Sequence, residues 1–145
     1  MKYDYFIALP MSSFSDAEFK EIKVLIKEII NTLKENNSTV YCAVNFNSDA
    51  KFIDEDMALK TDIDALMDSN KFILIYPRKI TSSVIFEAGV AYAQNKESIY
   101  FVKDINDLPY VMKKADCVTN NIAIHTYSNN KFILDTINKA ILKGF

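Results

Sequence analysis

The run Phe72-Ile73-Leu74-Ile75-Tyr76-Pro77 constrains this chain more than any other segment. It is apolar without alternation, so it reads as a strand buried on both faces rather than on one. Such a strand needs cover above and below the sheet, and the flanking sequence supplies it. Before the run, Asp54 to Asp68 carries a helical pattern. After it, a polar loop, Pro77 to Ser83, opens into a second helix over Ser83 to Gln94.

The alternation holds from end to end. Tyr3 to Leu9 reads as a strand. Ser15-Asp16-Ala17-Glu18 reads as a capping box, with Phe14 and Phe19 spaced as a hydrophobic staple. The helix it opens runs to about Asn36, where Asn-Asn-Ser breaks it. Thr39 to Asn45 is a strand, Asn47 to Phe52 a polar loop, Lys71 to Tyr76 the central strand and Ser98 to Val102 a strand. Leu108 to Ala115 is a short helix, Asn121 to His125 a strand, and Asn129 to Lys143 a closing amphipathic helix. Five strands and five helices in alternation imply an α/β fold with a parallel sheet covered on both faces and right-handed crossovers. The expected architecture is a flavodoxin-like or Rossmann-like three-layer sandwich with strand order 2-1-3-4-5. Its switch point then lies between the first and third strands, over Pro10 to Phe14 and Pro77 to Ser83. Residues 1–145 read as one domain, a size that permits a substantial core.

Charge narrows the partners. The net charge is −2 and Arg78 is the single arginine, with the lysines scattered. A nucleic-acid groove needs clustered cations, so no nucleic-acid partner is expected. No secretory signal and no apolar stretch of roughly 18 residues occurs, so no membrane partner is expected and a cytoplasmic location is. Cys42 and Cys117 form no C-x-x-C motif and read as free, buried thiols. With His125 the only histidine, no metal site is expected.

Helical spacing separates the acids. Asp62 has Ala58, Leu59, Ala65 and Leu66 at i±3 and i±4, so it lies on the buried stripe or its edge. Asp64 has mostly polar neighbours and reads as solvated. A carboxyl among apolar groups is bonded, paired or used, and its pKa tends to rise. Glu87 follows the central strand, early in a helix that contains Gly89. There the dipole favours the ionised form and the apolar neighbours oppose it. The alternative use of Glu87 is a surface charge complementing that dipole. Glycine inside a helix costs about 1 kcal/mol relative to alanine, so close approach of backbone or ligand is a reason for Gly89. Ser12 and Ser13 at one helix start, and Ser82 and Ser83 at another, can hold a phosphate or serve as ordinary caps. Arg78 and Lys79 could add charge there, and Asn45 could face the same cleft.

Other chemistries lack their marks. There is no G-x-G-x-x-G after the first strand, no Walker loop and no G-x-S-x-G elbow. The third strand ends in Tyr76-Pro77 rather than in a phosphoacceptor aspartate.

With Asp62, Glu87 and Gly89 in place, the chain resembles the nucleoside 2-deoxyribosyltransferase-like superfamily, which includes small nucleoside 5′-monophosphate N-glycosidases. Phe6-Ile7-Ala8-Leu9-Pro10 is similar to the family's opening Tyr-Leu-Ala-Gly-Pro. Asp62 is similar to its helix aspartate. Phe86-Glu87-Ala88-Gly89-Val90-Ala91-Tyr92-Ala93-Gln94-Asn95-Lys96 is similar to the helix that carries its catalytic glutamate. The chain departs from the family at Phe6, Leu9, Asn70 and Thr81-Ser82-Ser83.

The resemblance implies cleavage or transfer at an N-glycosidic bond of a nucleoside or nucleoside 5′-monophosphate. Glu87 would be nucleophile or oxocarbenium stabiliser and Asp62 its assistant. Pro10, Ser12, Ser13, Asn45, Pro77, Ser82, Ser83 and Gly89 would line the substrate. No cofactor is implied, and a homodimer or larger homo-oligomer is, for which Tyr92, Tyr100, Tyr110 and Phe145 are candidate contacts. Two alternatives stand beside it: a TIR-type NAD hydrolase in signalling or defence, and a nucleotide-binding module without catalysis.

Overall fold

A computed structural model of the chain describes residues 1–44 and 55–143. Five strands form one sheet: β1 (Tyr3–Ala8), β2 (Val40–Cys42), β3 (Ser69–Tyr76), β4 (Glu97–Val102) and β5 (Ile122–Thr126). All pairings are parallel and the order is β2-β1-β3-β4-β5, the flavodoxin-like order expected. The helices are α1 (Asp16–Glu35), α2 (Glu55–Met67), α3 (Val84–Ala93), α4 (Ala115–Val118) and α5 (Asn130–Lys143). Helix α1 packs on α5 and α2 on α3, so the sheet is flanked on both sides. Strand β3 sits at its centre with Phe72 to Tyr76 all buried. Truncating one of them, Leu74 for example, is expected to cost about 3 kcal/mol through lost burial and the cavity left behind.

Local chemistry accounts for the helix ends. Ser15 and Glu18 form the expected capping box: the Glu18 N–H donates to Ser15 Oγ at 3.2 Å and the Ser15 N–H donates to Glu18 Oε1 at 3.1 Å. Phe14 and Phe19 are both buried beneath it. Asn37 and Asn95 adopt φ of 59° and 54° just past α1 and α3. Asparagine tolerates this left-handed conformation better than most residues, and here it stops each helix.

Three expectations change. Strand β2 spans only Val40–Cys42; Asn45 and the loop over 47–52 lie outside the described residues. The helix expected over Leu108 to Ala115 is two 3-10 turns, Ile105–Asp107 and Tyr110–Met112, followed by α4. Proline restricts the residue before it to extended backbone, and Leu108 before Pro109 has ψ 147°. The thiols are free, but Cys42 is half-buried and Cys117 exposed.

Candidate active site

The switch point between β1 and β3 is framed by two loops tied to each other. Tyr76, the last residue of β3, donates its hydroxyl to the Ile80 carbonyl and accepts from the Ile80 N–H at 3.2 Å, which closes the loop over 77–80. Arg78 at that loop's tip donates from Nε to Glu18 Oε2 at 2.9 Å and from Nη2 to the Ser13 carbonyl at 2.9 Å. Ser13 Oγ donates to the Thr81 carbonyl at 2.9 Å. These bonds tie together the two loops that carry Pro10, buried, and Pro77, half-buried, just past the carboxyl ends of adjacent strands.

The tie revises the expected phosphate ligands. The Arg78 guanidinium is engaged by Glu18 and the Ser13 hydroxyl by Thr81, so both serve the loops. Ser12 and Ser83 are exposed. Ser83 occupies the N-cap of α3 with helical backbone angles, φ −60° and ψ −18°, and caps nothing with its side chain. Ser82 Oγ accepts from the Val84 N–H at a long 3.5 Å.

Glu87 is half-buried in the first turn of α3. Its neighbours outweigh the helix dipole: burial, with the charge of Asp62 added, pushes its carboxyl up to about 8. Asp62 on α2 is also half-buried, and burial raises it. The helical spacing therefore placed Asp62 correctly at the edge of the buried stripe. Asp64 is exposed and pairs with Lys60 at 2.7 Å. Among the described residues, no lysine or arginine forms an ion pair with Asp62 or Glu87.

Tyr41, which sequence reasoning passed over, joins this pair. Its hydroxyl donates to Asp62 Oδ1 at 2.7 Å. In the register of the sheet Tyr41 lies opposite Phe6, and Phe6 opposite Phe72. The rings form a row: Tyr41 stacks on Phe6 at 5.3 Å and Phe6 on Phe72 at 5.9 Å. Periodicity along one strand carries no cross-strand register, so nothing in the sequence aligned Tyr41 with Phe6. Cys42 feels both carboxylates, and burial together with them pushes its thiol up to about 12. Burial and the nearby carboxylates thus disfavour its thiolate.

The site residues thus divide. Asp62 and Glu87 interact electrostatically across α2 and α3, and Tyr41 is bonded to Asp62. Pro10, Ser12, Ser13, Pro77, Ser82 and Ser83 lie on the two loops at the switch point, while Asn45 is outside the described residues. Gly89 is exposed, and a Cβ added there would meet nothing within 4 Å. The expected close approach of this chain's own backbone is therefore absent at Gly89. Lys96 is buried and donates to the Ser69 carbonyl at 2.6 Å and the Met67 carbonyl at 3.3 Å, a role in holding the α2–β3 corner. No group of three or more His, Cys, Asp or Glu suited to a metal occurs among the described residues. No helix among them is long and apolar enough to cross a membrane.

No family model matches the sequence, and no curated protein matches it. Among solved structures, the fold is similar to that of the Clostridium botulinum CMP N-glycosidase BcmB, with a TM-score of 0.66 and 22% identity. The match covers 94% of this chain and 98% of that one. Over nearly its whole length, the chain therefore shares the fold of that protein.

Proposed function

We propose that residues 1–145 act as one domain that cleaves the N-glycosidic bond of a nucleoside 5′-monophosphate. The observation that supports this reading is the carboxyl pair, Glu87 on α3 and Asp62 on α2, which interact electrostatically and form no ion pair with a cation among the described residues. The architecture shared with a CMP N-glycosidase supports it.

Two like charges in a poorly solvated site resist ionising together, so the pair keeps one proton at neutral pH. That one-proton pair supplies both functions the reaction needs. Glu87 gives up the proton of the pair toward the departing base, by way of Asp62, and the carboxylate so formed attacks C1′, or stabilises the oxocarbenium-like centre, while the C1′–N bond breaks. The base leaves with the electron pair of that bond and takes the proton, whose delivery Asp62 assists. Water then attacks C1′ and frees Glu87, leaving a sugar 5-phosphate; a second base in place of water would give transfer. The loops that carry Ser12, Ser13, Ser82 and Ser83, with Pro10, Pro77 and Asn45, hold the phosphate and sugar.

A homodimer belongs to this reading. Helix α3 is apolar on nearly every side, yet Phe86 and Tyr92 are 60% and 53% exposed, and a helix of that kind is normally covered. Gly89 on the same helix leaves room for a close partner. Tyr110 is also exposed, Tyr100 is buried and cannot serve as a contact, and Phe145 lies outside the described residues.

The test is chromatography of nucleosides, deoxynucleosides, their monophosphates and NAD, each incubated with wild type and with Glu87→Ala. Free base from a monophosphate with wild type alone is the expected result. Nicotinamide from NAD alone would replace this reading with NAD hydrolysis. Tight nucleotide binding with no product would replace it with a binding module.

A further inference from the structure

Asp62 and Glu87 lie on different helices, yet the polar group bonded to Asp62 comes from neither. It comes from β2, the edge strand, through Tyr41. The bond is short, 2.7 Å, and the ring that delivers it is held firmly. Phe6 stacks on one side at an interplanar angle of 22°, and Tyr3 lies against it at 5.4 Å. The aromatic row leaves the phenol little freedom to turn away. We infer that Tyr41 is a positioning residue for Asp62: its hydroxyl fixes Oδ1 and keeps the single proton of the pair on Glu87. This inference rests on the proposed role of that pair, but its consequences for the proton can be measured without substrate.

The groups facing Asp62 set the direction. Tyr41 and Cys42 approach from β2 and Glu87 from α3, with Tyr3 of β1 behind the Tyr41 ring. Burial favours the neutral form of both carboxyls, and neither forms an ion pair with a cation among the described residues. A donated hydrogen bond stabilises only the ionised carboxylate, and Asp62 receives one from Tyr41. The charge therefore settles on Asp62, and its repulsion keeps Glu87 protonated. In the opposite direction, the Asp62 carboxylate disfavours a phenolate at Tyr41, which burial already raises well above the ordinary tyrosine range.

The experiment is carbon-13 NMR titration of the Asp62 and Glu87 side-chain carboxyls in wild type and in Tyr41→Phe, without substrate. Phenylalanine keeps the ring row and removes one oxygen. Asp62 is expected to titrate before Glu87 in wild type. In Tyr41→Phe its midpoint should rise by roughly one pH unit, the worth of one hydrogen bond to a charged group. A purely structural ring would leave that midpoint in place, and an unmoved or lowered Asp62 midpoint overturns the inference.

Asp62→Asn probes the same bond from the other side and serves if the first variant does not fold. The Tyr41 phenolate, followed by ultraviolet difference absorbance, should form at lower pH in Asp62→Asn. If it forms at the wild-type pH, the coupling is absent and the inference falls. Base release by wild type is measured separately. If it is absent while the midpoints move as stated, the catalytic reading fails and the assignment of the proton to Glu87 stands.

Discussion

Glu18 and Glu87 occupy nearly the same place in two helices. Each lies in the first turn or just after it, and each of the helices follows a strand that borders the switch point. Yet Glu18 is held down to about 2 and Glu87 is pushed up to about 8. The helix dipole acts in the same direction on both, so it does not make the difference. Glu18 bonds to the Arg78 guanidinium and to the backbone N–H of Ser15, both of which favour its charge. Glu87 is half-buried, forms no ion pair among the described residues and faces another carboxylate. A carboxyl with a cation builds structure; one deprived of a cation is left able to exchange a proton near neutral pH.

The sharpest way to break this contrast is to neutralise each glutamate in turn. Glu87→Gln should reduce base release by on the order of 10³-fold or more, because on the proposed mechanism it removes the group that acts on C1′. Glu18→Gln should leave kcat within a few-fold, since Glu18 is bonded to Arg78 and Ser15 and the proposed mechanism gives it no part. Asp62→Asn should cost about 10²-fold, the usual scale for a group that assists proton transfer. By removing the like charge it should also bring Glu87 down from about 8.

Stability against pH separates the two acids by sign. The folded protein holds the Glu87 proton up to about 8, whereas an ordinary glutamic acid loses it near 4.5. Folding therefore binds a proton between those values, and wild type should lose stability as pH rises through that window. Glu87→Gln should remove that loss and be more stable than wild type by on the order of 2 kcal/mol at pH 8.5, with partial solvation holding it below the full linkage value. Urea unfolding at pH 5 and pH 8.5 measures it. Glu18 behaves oppositely: its contribution is present above 4.5 and lost as pH falls toward 2, and Arg78→Ala should weaken that acid-side dependence, leaving the part owed to the Ser15 N–H. In kinetics, Arg78→Ala should raise KM several-fold with kcat nearly unchanged, because the two loops lose their shared tie.

The smallest effect concerns Gly89. Because a Cβ there meets nothing, Gly89→Ala should stabilise the monomer by about 1 kcal/mol through helix propensity. A higher melting temperature together with a weaker dimer in sedimentation would place a second copy against this helix.

The parallel, doubly covered sheet was readable because it follows from the alternation of strands and helices, its order 2-1-3-4-5 was chosen among the doubly wound arrangements, and β3 was readable because an unalternating apolar run has few other uses. Asp62 was readable from its i±3 and i±4 neighbours, as was the solvated Asp64. What escaped depends on contacts between distant segments. Arg78 reads in sequence as a spare cation at a loop edge, and only the fold brings Glu18, 60 residues away, against it. Tyr41 reads as one more strand residue until the register sets it beside Phe6 and under Asp62. The break at Pro109 was missed although the sequence carries it: a helix was expected over Leu108 to Ala115, yet a proline inside it forces the preceding residue extended.

The central claim is that the carboxyl pair works while holding one proton. The dependence of kcat/KM on pH for base release from a nucleoside 5′-monophosphate tests it most directly, since it reports the ionisations of the free enzyme. The account expects activity to fall as pH rises through about 8, where Glu87 gives up the last proton of the pair, and to be lost in Glu87→Gln. Activity that keeps rising beyond pH 8, or that survives in Glu87→Gln, contradicts it.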